Sequence, residues 1–167
     1  MTRTLSILAF GLLLAGCGLQ PLYSGGASGA VATSLRSVQV APIEGQSGWL
    51  VRNELVERLG DGKAAGDARY RLEVELDDDI TSFGIRGDRA ATRERRTLRA
   101  RYRLVEIERG TVVLDATAGS DAGIDVVSSE YATVAAEQTA LERLAEALAD
   151  QIAARLGLFA ARTAGRQ

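Results

Sequence analysis

No histidine occurs anywhere in the 167 residues. Its absence removes the commonest general base, the commonest metal ligand and the usual titrating switch near neutral pH. A single cysteine, Cys17, leaves no internal disulfide and no cysteine-rich zinc site. Lysine is reduced to Lys63, so almost every cation is an arginine with a planar, permanently charged fork. Neither sign of charge is in excess. Lys+Arg 20 against Asp+Glu 22 gives −2, which is no field for nucleic acid or for a membrane surface. No paired nucleophile and base is recognisable: Ser128 and Ser129 have no histidine to activate them, and Lys63 lies in a predicted loop. An envelope hydrolase is disfavoured on these grounds, and no cofactor is implied. What is present is the apolar and charged content of one ordinary globular domain.

The chain opens MTRTLSILAFGLLLAGCGLQPLY. Arg3 supplies a short positive start, Leu5 to Ala15 are almost entirely apolar, and Ala15 and Gly16 are small. That order is the layout of a secretory signal, and its apolar run falls short of the roughly 20 residues a spanning helix needs. Leu14-Ala15-Gly16-Cys17 resembles a bacterial lipobox, in which the cysteine thiol is acylated and becomes the new N-terminus. Several acyl chains at about 0.8 kcal/mol per buried CH₂ anchor a protein stably. Gly18 follows the cysteine in place of the aspartate that favours inner-membrane retention in enteric bacteria, which leans toward the outer membrane. The expected organisation is a signal peptide over 1–16, a lipidated start and flexible tether over 17–34, one domain over 35–158, and a tail over 159–167.

Within the domain, residues 35–42 alternate weakly and end at Pro42, as an edge strand does. Ser47 is a candidate cap for a helix over about 48–59, with Val51, Leu55 and Leu59 on one face and Gly60 as its stop. From Tyr70 the period is two: Tyr70, Leu72, Val74 and Leu76 alternate with charged residues. The acidic and glycine-containing stretch 77–92 reads as a turn or long hairpin loop. A second amphipathic strand is expected over about 93–108, with a bulge near Leu104 where Val105 and Ile107 break phase. A third follows the Arg109-Gly110 turn through Val112, Leu114, Ala116 and Ala118, and then a loop over 119–128. From about Ser129 to Leu156, apolar residues recur at helical spacing without proline or glycine. The order predicts an α+β fold with two helices packed on one face of a four-stranded mixed β-sheet, the other face meeting solvent or a partner.

Cys17-Gly18-Leu19-Gln20-Pro21-Leu22-Tyr23 resembles the mature start of the LPS-assembly lipoprotein family, LptE (RlpB), with leucine where that family commonly has phenylalanine. The likeness continues in the Arg/Tyr-rich strand, in Ser128-Ser129-Glu130-Tyr131-Ala132, and in the Ala-rich closing helix. The resemblance implies two helices on a four-stranded sheet. It implies a non-enzymatic, lipid-anchored protein of the outer membrane, facing the periplasm. Its implied partners are an LptD-type β-barrel, which it plugs and helps to assemble, and lipopolysaccharide. An auxiliary lipoprotein of an ABC-type lipid-transport system is the alternative, which membrane fractionation separates.

The candidate contact surface is the densest run of positive charge: Arg93, Arg95, Arg96, Arg99, Arg101 and Arg103, with Arg86 and Arg89 in the preceding loop. Guanidinium forks suit the phosphates of lipid A. Cross-strand pairing to Glu73 and Glu75 is the competing and heavier expectation, and both fit a polar barrel lumen. Trp49, Tyr70, Tyr102 and Tyr131 are expected in the core, and Asp77-Asp78-Asp79 as a solvated turn and not a cation loop.

Overall fold

Residues 29–60, 68–85 and 91–164 are described in the computed structural model of the chain. Cys17, Arg86 and Arg89 lie outside the described residues. The elements are α1 (Ala30–Arg36), β1 (Val38–Val40), α2 (Gly45–Leu59), β2 (Tyr70–Ile85), β3 (Ala91–Glu106), β4 (Thr111–Asp125) and α3 (Glu130–Ala164). The expected α+β fold with a four-stranded mixed sheet is present, joined by a third, short helix.

The sheet order is β1-β2-β3-β4, with β1 parallel to β2 and the other pairs antiparallel. Parallel neighbours need a crossover, and α2 supplies it between β1 and β2. α2 lies over β1 and β2, and α3 lies over β3 and β4. The two helices run side by side in the same direction. Gln46 bonds Gln138 at one end of the pair and Arg58 pairs with Asp150 at the other.

Strand pleating decides which residues those helices cover. Leu72, Val74, Leu98, Ala100, Tyr102 and Leu104 point to one face and are buried. They meet Val51, Leu55 and Leu59 of α2 and Leu141, Leu144, Leu148, Ile152 and Leu156 of α3 in one continuous core. Each fully buried aliphatic side chain contributes roughly 1.5–3 kcal/mol, so this face holds the fold. The bulge expected near Leu104 is present as a register shift between Leu104 and Val105. Gly60 ends α2 with φ +84°, a backbone that side chains with a Cβ rarely adopt, and its N–H donates to the Val56 carbonyl.

Several boundaries differ from expectation, each for a physical reason. The chain is helical from Ala30, where a tether was expected, because Leu35 is buried and α1 packs against α3. The first strand shrinks to three residues as Leu35 and Arg36 join that helix. α2 starts at Gly45 behind Glu44, and Ser47 lies inside it and caps nothing. Residues 77–85 are strand and not loop, and β4 runs on to Asp125. α3 continues through Gly157 to Ala164 because packing continues there: Leu156 and Ala160 are buried, and Phe159 meets Tyr70 edge-on with ring centroids 6.1 Å apart. At 35 residues it is about 52 Å long. Tyr70 and Tyr102 are in the core as expected, but Trp49 is 62% exposed and Tyr131 86% exposed. Trp49 sits two residues, over half a helical turn, from the Val51 face that takes the core. Tyr131 is on the right stripe of α3, but burial along that stripe begins only at Ala140.

Candidate functional site: the open sheet face

The residues that alternate with the core positions form the uncovered side of the sheet. On β3 these are Arg93, Arg95, Thr97, Arg99, Arg101 and Arg103. The register sets acids on both flanks. β2 places Glu73 opposite Arg103, Glu75 opposite Arg101, Asp77 opposite Arg99 and Asp79 opposite Thr97. β4 places Asp115 opposite Arg103, Asp121 opposite Thr97 and Asp125 opposite Arg93. The face is therefore a row of arginines between two rows of carboxylates, which outnumber them, and not a basic patch.

Most of these charges are paired. Arg103 lies 3.0 Å from Glu75 and 3.7 Å from Glu73. Arg101 grips Asp115 with two hydrogen bonds, of 3.3 and 2.9 Å. Arg93 pairs with Asp125 at 3.1 Å, and Arg95 with Asp121 at 3.7 Å while its guanidinium lies 5.7 Å from the Phe83 ring centre. The Arg101 hydrogen bond holds the Asp115 carboxyl below the usual carboxylate range. Arg101 itself is raised by the same bond, so both stay charged. Exposed pairs of this kind add about 0–1 kcal/mol each. They order the face more than they hold the fold.

Arg99 differs from its neighbours. Among the described residues it has no ion-pair partner, although Asp77 stands directly across from it. Gly119 lies on its other side, where a Cβ would approach Arg99 Cγ to 3.3 Å. The missing side chain leaves Arg99 room between two shallow grooves.

Of the six arginines predicted as one surface, the structure brings five together: Arg93, Arg95, Arg99, Arg101 and Arg103. Arg96 is on the opposite, helix-covered side, because it is an odd step along the strand from the other five and an even step from Leu98. There it donates two 2.8 Å bonds to the Asp78 carboxylate and one of 3.2 Å to the Glu137 carbonyl of α3. Its pKa is raised, chiefly by the Asp78 bond. Arg96 ties the far end of the β2–β3 hairpin to the long helix. The same pleat divides Asp77-Asp78-Asp79 between both faces, so those carboxylates do not converge. Among the described residues, no group of three or more His, Cys, Asp or Glu is placed to hold a metal. Sequence reading missed the β4 acids; Asp115, Asp121 and Asp125 sit at even spacings that an unbroken strand puts on one face.

The outer edge of β4 is partly capped. Gln151 of α3 accepts from the Gly119 N–H and donates to the Gly119 carbonyl, at 3.4 and 3.2 Å, satisfying one pair of groups an edge strand leaves open. Among the described residues no helix is long and apolar enough to cross a membrane.

This helix-backed sheet is the architecture of a class of solved bacterial lipoproteins. A lipoprotein of Caulobacter crescentus CB15 is similar over 78% of this chain and 96% of its own, with TM-score 0.65 and 24% identity. A minor lipoprotein of Acinetobacter baumannii matches over 74% and 92%, with TM-score 0.57 and 14% identity. Rare lipoprotein B of Shewanella oneidensis matches over 77% and 96%, with TM-score 0.51 and 11% identity. At these identities the likeness is one of fold. No curated protein matches the sequence. The family model described as "LptE: Lipopolysaccharide-assembly" matches residues 35–156, most of the chain, and the chain belongs to that family.

Proposed function

We propose that this chain is a lipid-anchored, non-enzymatic protein of the outer membrane. In this reading it plugs an LptD-type β-barrel, assists its assembly and contacts lipopolysaccharide on its way to the outer leaflet. Membership of a lipopolysaccharide-assembly family is the observation that carries the reading. The open sheet face adds physical support. It carries dense charge with little apolar area, which suits the polar, water-filled interior of an outer-membrane barrel. The helix-covered face supplies the stability, so the open face is free for contact. Arg93, Arg95, Arg99, Arg101 and Arg103 are the proposed contact residues, and Arg96 a structural one. Cys17 is the proposed acylation site after removal of residues 1–16.

Purification from native membranes in mild detergent tests this directly. The expected companion is a large β-barrel of the outer-membrane fraction, and the intact mass should be that of a chain starting at an acylated Cys17. Recovery with an inner-membrane transporter complex would reject the barrel role. An unprocessed and unacylated start would reject the anchor.

A further inference from the structure

The charge pattern of the open face bears on which lipopolysaccharide it takes, an inference that rests on the lipopolysaccharide contact proposed above. A bare polyanion is poorly matched to this surface, because Arg93, Arg95, Arg101 and Arg103 each pair with a carboxylate and Asp77 stands across from Arg99, and these carboxylates repel phosphate. One groove, of about 580 Å³, holds charges of both signs that the protein leaves open. Asp77 and Arg99 face each other across the β2–β3 pair, and among the described residues neither has an ion-pair partner. Among the described residues Asp79 accepts only a 2.8 Å bond from Thr81, and Arg95 is held loosely, 3.7 Å from Asp121. Phe83, 42% exposed, closes the end of the groove beside Arg95.

We infer that this groove takes a zwitterionic phosphate–ammonium group, of the phosphoethanolamine type, carried on lipopolysaccharide. The phosphate meets Arg99 and Arg95, the ammonium meets Asp77 and Asp79, and the ethylene link lies toward Phe83. Side chains directly opposite in an antiparallel pair start about 4.5–5.5 Å apart at Cβ. At that spacing both ends of such a group are met at once. Gly119 keeps the approach to Arg99 clear.

The test is binding of the full chain to lipopolysaccharide with and without phosphoethanolamine on its lipid A phosphates, by isothermal titration in detergent. Each added exposed charge pair is worth up to about 1 kcal/mol, so the substituted form should bind about three- to fivefold tighter. D77N/D79N should erase that preference while still binding the unsubstituted form, and R99Q should weaken both. Circular dichroism should show both variants folded, since these side chains are exposed. Equal affinity of the wild-type chain for the two forms, or a preference that survives D77N/D79N, overturns the inference and leaves the lipopolysaccharide contact standing. Binding of neither form removes that contact as well. Equal competition by phosphatidylethanolamine vesicles overturns the assignment to lipopolysaccharide in favour of a phospholipid. Loss of barrel co-purification in D77N/D79N with lipopolysaccharide binding unchanged reassigns the groove to the barrel wall.

Discussion

The two faces of this sheet are made by the same three strands, residue by residue in alternation, yet they obey different physics. On the helix-covered face, Leu72, Leu98, Leu104, Leu148 and Ile152 are almost fully out of water. Each contact there is worth kilocalories because the water-exposed alternative is poor. On the open face, arginines and carboxylates alternate in solvent, where each pair is worth a fraction of that. One face specifies the fold. The other is ordered by it, at little energetic stake of its own, and so is free to change partners. Arg96 shows the difference within one strand. Arg95 on the open side is shared loosely between Asp121 and Phe83, and one residue later Arg96 is locked to Asp78 and Glu137.

The contrast is broken most severely from the covered side. Leu148→Ala, at a position with no exposure, should destabilise the chain by about 2–5 kcal/mol in urea unfolding, through lost burial and the cavity left behind. A loss under 1 kcal/mol would mean that the helices do not hold the sheet. Arg96→Ala comes next, at about 1–3 kcal/mol, because it leaves the Asp78 carboxylate without its two bonds and cuts the tie to the Glu137 carbonyl of α3. Arg103→Ala, on the open face of the same strand, should stay within about 0.5 kcal/mol. Equal effects of these two substitutions would erase the distinction between the faces. The smallest effect is in pH dependence. Asp115 has a lowered pKa in the folded chain, so its contribution is in place above the ordinary aspartate value near 3.9 and is lost as pH falls through the folded value. In Arg101→Gln, carbon NMR should find the Asp115 carboxyl titrating back in the ordinary range. An unmoved titration would show that Arg101 is not its partner.

The covered face was legible in the sequence because burial leaves a periodic trace. Tyr70 to Val74, Leu98 to Leu104 and Leu141 to Leu156 announce their elements, and with them the α+β fold and the placing of both long helices. Legibility stopped where stability came from pairing across strands. Asp77-Asp78-Asp79 reads as a solvated turn when taken alone. In the fold it is strand, its backbone laddered to β3, with Asp78 held by Arg96 on the covered side. The arginine run has the same history: linear density suggested one basic surface, and the pleat sent Arg96 to the other side while the register supplied acids to the rest. Helix ends were misjudged for a related reason. Gly157 is a local stop signal, but Phe159 and Ala160 find tertiary contacts beyond it. Tyr131 keeps helical phase where burial has not yet begun.

On the proposed function, the open face recognises partners without holding the fold. This is tested most directly by R99Q/R101Q/R103Q, measured at once for its urea midpoint and for its binding of lipopolysaccharide and co-purification of the barrel. The expected result is a midpoint close to the wild type together with a clear loss of at least one of these associations. A chain that keeps both associations undiminished, or that unfolds like Leu148→Ala, would contradict it.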